Sequence, residues 1–302
     1  MESGIDKKEY KKGMIGAIGC SVVWGVLPIY WQSLRPIDSW VIIIYRILLV
    51  CVVALLLARR SYSWKRIFEP LKDRSVRLKY FCAGVIITIN WSTYIWGVNA
   101  DHVIQCCIGY YIEPLMVCIF GMIFFKEKLT KYKTTALLLA CLSVVVILVH
   151  FHALPTLALV LAITFSVYSA IKKTVSQPAL ISLVYETIFL APVALGVIIW
   201  MEVNGRGALG VGHPYQYLLL LLCGLFTVIP LGLFAVAAPR ISMFMLGLSE
   251  YISPTLSLIV GVFVLHEAFD SVQFIAFAII WVGLVFFSYG EFAESKKKEI
   301  DS

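Results

Sequence analysis

Long apolar segments separated by short polar ones dominate the chain. A helix needs about 20 apolar residues to cross the hydrocarbon layer of a membrane. Most charged residues fall in the gaps between the apolar runs. The pattern predicts ten membrane-crossing helices, at residues 13–33, 38–58, 79–99, 103–125, 132–150, 155–171, 180–200, 216–237, 241–264 and 272–290.

Composition agrees with this pattern. The 302 residues are 61% apolar and only 14% charged, whereas soluble domains are roughly 45–50% apolar and 25% charged. The predicted fold class is therefore an all-α polytopic membrane protein with little sequence left for a soluble domain. The first apolar run follows basic residues, as in a signal peptide, but it exceeds the usual length of about 7–15 residues. We expect it to be retained as the first helix.

The formal net charge of +7 is distributed unevenly. Lys and Arg accumulate at the cytoplasmic ends of membrane helices. If the N-terminus is inside, the outer gaps hold only Arg35 and Arg206, and most other basic residues fall on the inner side. Both termini are therefore predicted to be cytoplasmic. The basic charge reflects topology, and no nucleic-acid partner is expected.

The eight cysteines lie in or beside apolar runs and form no CxxC pair. Their spacing to His residues is not that of a metal site. We expect reduced thiols, and neither a metal nor another cofactor.

The chain contains an internal repeat. The segment "YIEPLMVCIFGMIFFKE" begins at Tyr111, and "YISPTLSLIVGVFVLHE" begins 140 positions later at Tyr251. Farther upstream, "SVVWG" at Ser21 resembles "FSVYS" at Phe165. The matched pairs are Gly84/Gly224, Ile89/Ile229, Tyr111/Tyr251, Pro114/Pro254, Gly121/Gly261 and Glu127/Glu267.

Each repeat unit contains five predicted helices, so the second unit enters the membrane from the opposite side. The predicted units are residues 1–150, with helices 1 to 5, and residues 151–302, with helices 6 to 10 and a short basic tail. Inverted repeats are the usual framework for alternating access. The alternative is a duplication that serves packing symmetry alone.

Two prolines mark the predicted centre of the molecule. Pro114 and Pro254 lie within spans, where a proline kinks the helix and frees the carbonyl four residues before it, here those of Tyr110 and Glu250. A carboxylate accompanies each proline, Glu113 before the first and Glu250 before the second. At the end of the fourth span, Glu127 is expected to cap or pair rather than to bind substrate.

Four charged residues lie inside predicted spans: Arg46, Glu113, Glu186 and Glu250. Such residues are costly in a membrane and usually mark a pathway, a relay or a partner. Because three acids face one cation, Glu186, Glu113 and Glu250 are candidates for proton coupling or for binding an amine. Arg46 can hold a ligand carboxylate or act on Glu186. The alternative is a permanent Arg46–Glu186 ion pair.

Aromatic residues with polar tips occur near these charges. Asn90 and Tyr94 share one helix face, as do Tyr110 and Glu113. Together with Trp24 and Tyr168, they are predicted to line a cavity for an amphipathic or aromatic ligand. The competing interpretation places these aromatic residues in the core or in interfacial belts.

The runs "VVWGVLPIYW", "NWSTYIWGVN", "IGYYIEPL", "YETIFLAP" and "YISPTL", with Arg46, carry a family resemblance over essentially the whole chain. They resemble the RarD-type branch of the EamA transporters, in the drug/metabolite transporter superfamily. The resemblance implies ten helices in two inverted five-helix repeats around a central cavity. By position it points to Trp24, Arg46, Asn90, Trp91, Gly109, Tyr110, Pro114, Glu186, Tyr251 and Pro254. The chain departs from that branch at Glu113 and Glu250, where neutral polar residues are commoner, and at Tyr45, where His is common.

These observations predict an alternating-access transporter of the cytoplasmic membrane rather than an enzyme. No HExxH motif or nucleophile–base spacing is present. We expect export of small amphipathic metabolites or amino acids, with proton coupling as one option. The alternatives are efflux of drugs or organic cations, and import of a metabolite. The expected partners are a small-molecule substrate and the lipid bilayer, with the protein either a monomer or a homodimer.

Overall fold

The computed structural model describes residues 7–99, 103–127, 129–151, 156–175, 177–264 and 270–300. Within these ranges every regular element is a helix. A short 3₁₀ turn, Glu69–Lys72, joins the third helix to the fourth. The helices are α1 (Lys7–Ser33), α2 (Ser39–Ser61), α3 (Trp64–Phe68), α4 (Arg74–Asn99), α5 (Val103–Phe125), α6 (Lys131–Phe151), α7 (Thr156–Lys173), α8 (Ala179–Thr187), α9 (Ala191–Val203), α10 (Pro214–Ala237), α11 (Met243–Glu250), α12 (Ile252–Phe263) and α13 (Ser271–Ile300).

Several of these helices are long and apolar enough to cross a membrane. Five meet the criterion directly, namely α1, α2, α6, α7 and α10, and α8 with α9 would make a bent sixth. The protein is a multi-pass membrane protein, as its hydropathy predicts. The remaining predicted spans coincide with α4, α5, α11 with α12, and α13. The count of ten crossings stays a prediction.

The seventh predicted span, residues 180–200, is not one continuous helix. Helix α8 ends at Thr187, and α9 begins at Ala191 with its axis turned by 55°. Pro192 occupies the first turn of α9, where its missing N–H is tolerated and its fixed φ suits a helix start. The apolar pattern predicted the span but not the break within it.

The two repeat-matched prolines have different effects. Pro114 lies inside α5, which runs through from Val103 to Phe125. Pro254 lies in the first turn of α12, and Tyr251 alone separates this helix from α11. The second kink is therefore a break between two helices, and it leaves Glu250 at the C-terminal end of α11.

Helices of the N-terminal half pack mainly on helices of the C-terminal half. Helix α1 contacts α10, α11 and α12, and α7 contacts α4, α5 and α11. Helix α2 packs on α8, α9 and α10, while α5 packs on α11 and α6 packs on α13. The core is therefore built across the two halves rather than separately within each.

Matched glycines serve two of these contacts. A Cβ at Gly84 in α4 would overlap the backbone carbonyl oxygen of Glu186 in α8. A Cβ at Gly224 in α10 would lie 2.5 Å from the carbonyl oxygen of Leu49 in α2. The α4–α8 and α10–α2 crossings thus both depend on a glycine at the same repeat position.

Candidate functional site

Two buried carboxyl groups lie near the crossing of α5 and α11. The Glu113 and Glu250 side chains are 9% and 3% exposed, and each lies within range of the other's charge. The helices approach closely because position 247 is glycine: a Cβ there would lie 2.6 Å from the carbonyl oxygen of Pro114. The carboxyls of the two predicted kinks therefore occupy one buried region.

The surroundings of Glu250 contain thiols and a phenol. The buried side chains of Cys20, Cys118 and Tyr251 lie within electrostatic range of its carboxyl group. Both carboxyl oxygens of Glu250 are buried without a hydrogen-bond partner in the part of the chain that the structure describes. An uncompensated polar group at this depth is energetically costly. The arrangement is therefore suited to taking up a proton or a cation.

Glu186 belongs to a separate buried network. Lys172 Nζ lies 2.6 Å from Glu186 Oε1, and Ser182 Oγ donates to the same oxygen over 3.0 Å. Tyr168 Oη donates to Glu186 Oε2 over 3.1 Å. Lys172 and Glu186 are 0% and 2% exposed. The charge of Glu186 is balanced by Lys172.

Lys172 is a functional candidate that sequence reasoning missed, since it was counted among the inner basic residues. A signal was present in the spacing. Tyr168 and Lys172 are four residues apart on α7, and Ser182 and Glu186 are four apart on α8, so each pair shares a helix face. Two such faces, each ending in a charge of opposite sign, were sufficient to suggest the contact.

The alternative Arg46–Glu186 ion pair is wrong. The guanidinium carbon of Arg46 lies 4.0 Å from the centre of the Trp91 ring and 5.0 Å from that of Trp31. Its Nε atom is buried and has no hydrogen-bond partner among the described residues. The phenol groups of Tyr30, Tyr94 and Tyr110 lie within electrostatic range of its charge. Among the described residues, Arg46 is held by aromatic faces rather than by an acid.

The predicted neighbours Tyr94 and Tyr110 do come together. Their ring centres are 5.4 Å apart in an edge-to-face arrangement. The Tyr110 side chain is 39% exposed, which leaves part of its surface accessible. We call the group formed by Trp31, Arg46, Trp91, Tyr94 and Tyr110 the Arg46 cluster.

Asn90 ties α4 to α7. Its Nδ2 group donates to the Leu161 carbonyl oxygen and to Thr164 Oγ1, each over 2.9 Å. Both amide hydrogens are therefore used within the protein. This geometry gives Asn90 a structural contact, while its predicted role in substrate binding stays untested.

Trp24 and Tyr168 lie in an aromatic cluster between α1, α7 and α10. The Trp24 ring centre is 5.7 Å from those of Phe165 and Phe234, and Tyr168 stacks on Phe234 at 5.9 Å. Tyr168 is completely buried. The two positions that "SVVWG" and "FSVYS" match are thus brought to one cluster at the interface of the two halves.

Glu127 joins three helices at one end of the bundle. Its Oε1 accepts a hydrogen bond from the Met243 N–H over 2.7 Å, and its Oε2 accepts one from the Phe244 N–H over 2.9 Å. Lys173 Nζ lies 3.6 Å from Oε1 and donates to the Ile241 carbonyl oxygen. The prediction that Glu127 caps or pairs is confirmed. Its repeat counterpart, Glu267, lies outside the described residues. We call the end that contains Glu127 and Lys173 the basic end.

The described ranges contain no set of side chains suited to bind a metal ion. No group of three or more His, Cys, Asp or Glu side chains there could hold a metal ion. The functional groups described in this subsection are carboxyls, one guanidinium, one ammonium, phenols, thiols and indoles.

Comparisons with known proteins agree with this description. The profile of the EamA-like transporter family matches residues 11–149. The chain is 35% identical to the uncharacterized transporter YojE of Bacillus subtilis, covering 94% of this chain and 95% of that one. It is also 35% identical to protein RarD of Streptomyces exfoliatus, covering 94% and 90%. It is 26% identical to the chloramphenicol-sensitive protein RarD of Pseudomonas aeruginosa, covering 91% and 92%.

One protein of known crystal structure has the same fold. It superposes with a TM-score of 0.69 over 91% of this chain and 96% of its own length, at 16% identity. The match covers nearly the whole length of these relatives, and members of the EamA-like family are transporters rather than enzymes. The chain belongs to the RarD-type branch of the EamA-like transporter family, within the drug/metabolite transporter superfamily.

Proposed function

We propose that the protein is a proton-coupled, alternating-access carrier that exports small amphipathic metabolites or amino acids across the cytoplasmic membrane. In the proposed topology, ten crossings form two inverted units at residues 1–150 and 151–302, and both termini lie in the cytoplasm. The observation that carries the proposal is the buried pair of carboxyls, Glu113 and Glu250, at the crossing of α5 and α11.

The packing of the helices supports an inverted repeat. Exchanging the two halves converts the α1–α12 contact into the α7–α5 contact, and the α1–α10 contact into the α7–α4 contact. It converts α2–α10 into α8–α4, and returns α2–α8, α5–α11 and α6–α13 to themselves. Such twofold exchange is what two pseudo-symmetric halves need in order to open a central site first to one side and then to the other.

The contact between α5 and the repeat-matched helices α11 and α12 changes along its length. Near Cys118, α5 packs on α11. The Sγ atom of Cys118 is 3.5 Å from the Phe244 carbonyl oxygen. Farther along, α12 packs on α1, where a Cβ at Gly25 would lie 2.6 Å from Leu256 Cβ. Helices α5 and α12 are not closely packed on each other in the described ranges. This supports access to the centre from the end opposite Glu127, which is the outside in the proposed topology.

Charge repulsion supports proton coupling. Two carboxylates close together in a medium of low dielectric constant repel each other strongly. Loading one proton, or one cationic group, removes most of that repulsion. The free energy of packing α5 against α11 therefore depends on whether a proton or a cationic group is bound. Glu186 is a weaker candidate for coupling because Lys172 already balances its charge.

Efflux of organic cations is the second candidate. The same pair of acids would attract an amine, and the nearest described groups around Glu250 bring no balancing cation. One relative is named for sensitivity to chloramphenicol, so antibiotic susceptibility is a useful additional readout.

The test compares cells that make the wild type, E113Q, E250Q or E9Q at equal membrane levels. Glu9 is an exposed carboxylate at the basic end, paired with Lys12 and Arg240, and serves as the matched control. Mass spectrometry of medium and cytosol should find a small set of metabolites exported by the wild type and E9Q but not by E113Q or E250Q. In everted vesicles, a protonophore should abolish their accumulation.

Two outcomes would contradict the proposal. If the wild type exports nothing beyond empty cells, including added chloramphenicol and organic cations, the carrier function fails. If E113Q and E250Q export as the wild type does, the carboxyl pair has no role in coupling.

A further inference from the structure

We infer that the Arg46 cluster binds the carboxylate of the transported molecule, so that the substrates are monocarboxylates with an aromatic or otherwise apolar body. This inference rests on the proposed transport function and specifies the substrate class of that same central site.

The first argument is the unbalanced charge of Arg46. A guanidinium in the interior of a membrane protein is costly and usually has a partner. The described residues contain no acidic side chain paired with Arg46, and its buried Nε has no hydrogen-bond partner there. The two indole faces of Trp31 and Trp91 contribute cation–π attraction, but an aromatic face accepts no in-line hydrogen bond from Nε. The hydrogen-bonding capacity of the guanidinium is thus left for a ligand.

The second argument is the shape of the surroundings. The guanidinium carbon of Arg46 lies 4.0 Å from the Trp91 ring centre and 5.0 Å from that of Trp31, so these two rings occupy part of the space around the charge. Tyr94 and Tyr110 form an aromatic pair within range of the same charge, and Tyr110 is partly exposed. A ligand that reaches Arg46 therefore places its own body against these phenol rings.

The third argument selects the anion. Guanidinium groups bind carboxylate and phosphate with two parallel hydrogen bonds. A dianionic phosphate would need a second cation, and the described groups near Arg46 are phenols, indoles and the Cys223 thiol. A planar monoanion therefore suits the Arg46 cluster better.

The experiment uses the purified, full-length protein in nanodiscs and four probes that share a phenyl ring. These are phenylacetate, phenethylamine, 2-phenylethanol and phenyl phosphate, each titrated by calorimetry and by quenching of tryptophan fluorescence. We expect phenylacetate to bind at least about tenfold more tightly than the other three, because only a monocarboxylate matches the fork of Arg46.

Variants identify the residue responsible. R46Q should weaken phenylacetate binding about tenfold or more, and R46K should also weaken it, since lysine keeps the charge but loses the fork. R206Q is the matched control, because Arg206 also lies over an indole, that of Trp200 at 5.9 Å, but on the exposed surface. It should leave the affinity unchanged. The wild-type probe ranking needs no variant, so a misfolded R46Q does not block the test.

The inference is overturned if phenethylamine, 2-phenylethanol or phenyl phosphate binds as tightly as phenylacetate, if none of the probes binds, or if folded R46Q keeps the wild-type affinity. Its failure is distinguishable from that of the proposed function. If cells export amines or neutral compounds and this export depends on Glu113 and Glu250, the proposed carrier function stands and the proposed carboxylate site is wrong. If phenylacetate binds in an Arg46-dependent way but cells export nothing, the carboxylate site stands and the proposed carrier function is wrong.

Discussion

Lys172 at the end of α7 and Glu186 in α8 form an ion pair of 2.6 Å in which both side chains are buried. Ser182 and Tyr168 complete the hydrogen bonds of the carboxylate. Removing two charges from water is expensive, and their attraction offsets this only when the geometry is good. The pair therefore specifies how α8 sits against α7 more than it stabilises the fold.

We expect K172M to destabilise the protein strongly, because it leaves the carboxylate of Glu186 buried without its cation. The loss in the free energy of unfolding should be about 3–5 kcal/mol, whereas the double variant K172M/E186L should regain much of it. Thermal unfolding in detergent gives the comparison. K12M, which breaks the exposed Glu9–Lys12 pair, should change the Tm little. A K172M protein as stable as the wild type would show that the pair is dispensable.

E127A should loosen the basic end of the bundle. The substitution removes the side-chain cap from the Met243 and Phe244 N–H groups, and a lost cap costs about 0.5–2 kcal/mol. The buried thiol of Cys118, next to Phe244, should then react faster with a maleimide, as followed by peptide mass spectrometry. The exposed Cys82 provides the internal control. Equal labelling of Cys118 in the wild type and E127A would argue against a closing role for Glu127.

G84A and G224A should both impair folding, because each new methyl group would enter the backbone of the opposite helix. Overpacking typically costs about 1–3 kcal/mol. G232A is the matched control, since it lies in α10 like Gly224 and a Cβ there has no described neighbour within 4 Å. The yield of monodisperse protein and the Tm measure the effect. Comparable losses for all three variants would indicate a general intolerance of alanine instead.

N90L should lower stability and leave substrate recognition nearly unchanged. It removes two hydrogen bonds between α4 and α7, and interhelical hydrogen bonds in membranes contribute about 0.6 kcal/mol each on average. Asn204 donates to the Trp200 carbonyl oxygen on an exposed turn, so N204L controls for the loss of an amide. If N90L keeps the wild-type Tm but loses export, Asn90 lines the substrate path as the sequence suggested.

The apolar pattern located the helices because membrane thickness sets the length of each run. The repeat also marked Glu113 and Glu250 through their prolines as the predicted centre of the molecule, and the two buried carboxyls do lie within range of each other's charge. Helical spacing placed Tyr94 and Tyr110 in the lining of the same predicted cavity, and their rings do contact each other. Helical spacing was sufficient for Tyr94 and Tyr110, and the internal repeat was sufficient to single out Glu113 and Glu250.

Contacts that depend on helix rotation were not predictable in this way. Helices α2 and α8 do pack on each other, yet Arg46 faces Trp91 while Glu186 faces Lys172. Counting charges identifies possible partners but not the face that each helix presents. Lys172 was assigned to a polar gap because its burial depends on α8, whose position only the folded bundle determines. The break before α9 was hidden because its residues are as apolar as the rest of the span.

The Lys172–Glu186 pair also bears on how the carrier responds to voltage. Moving one elementary charge through the whole membrane potential involves about 2.3 kcal/mol per 100 mV, but a pair of opposite charges that travels together does almost no electrical work. Any rocking of α7 and α8 is thus nearly insensitive to the membrane potential. In the proposed cycle, the electrogenic part then rests with Arg46, Glu113, Glu250 and the ions that they would carry. The net charge of the loaded site would set whether an energised membrane speeds or slows transport.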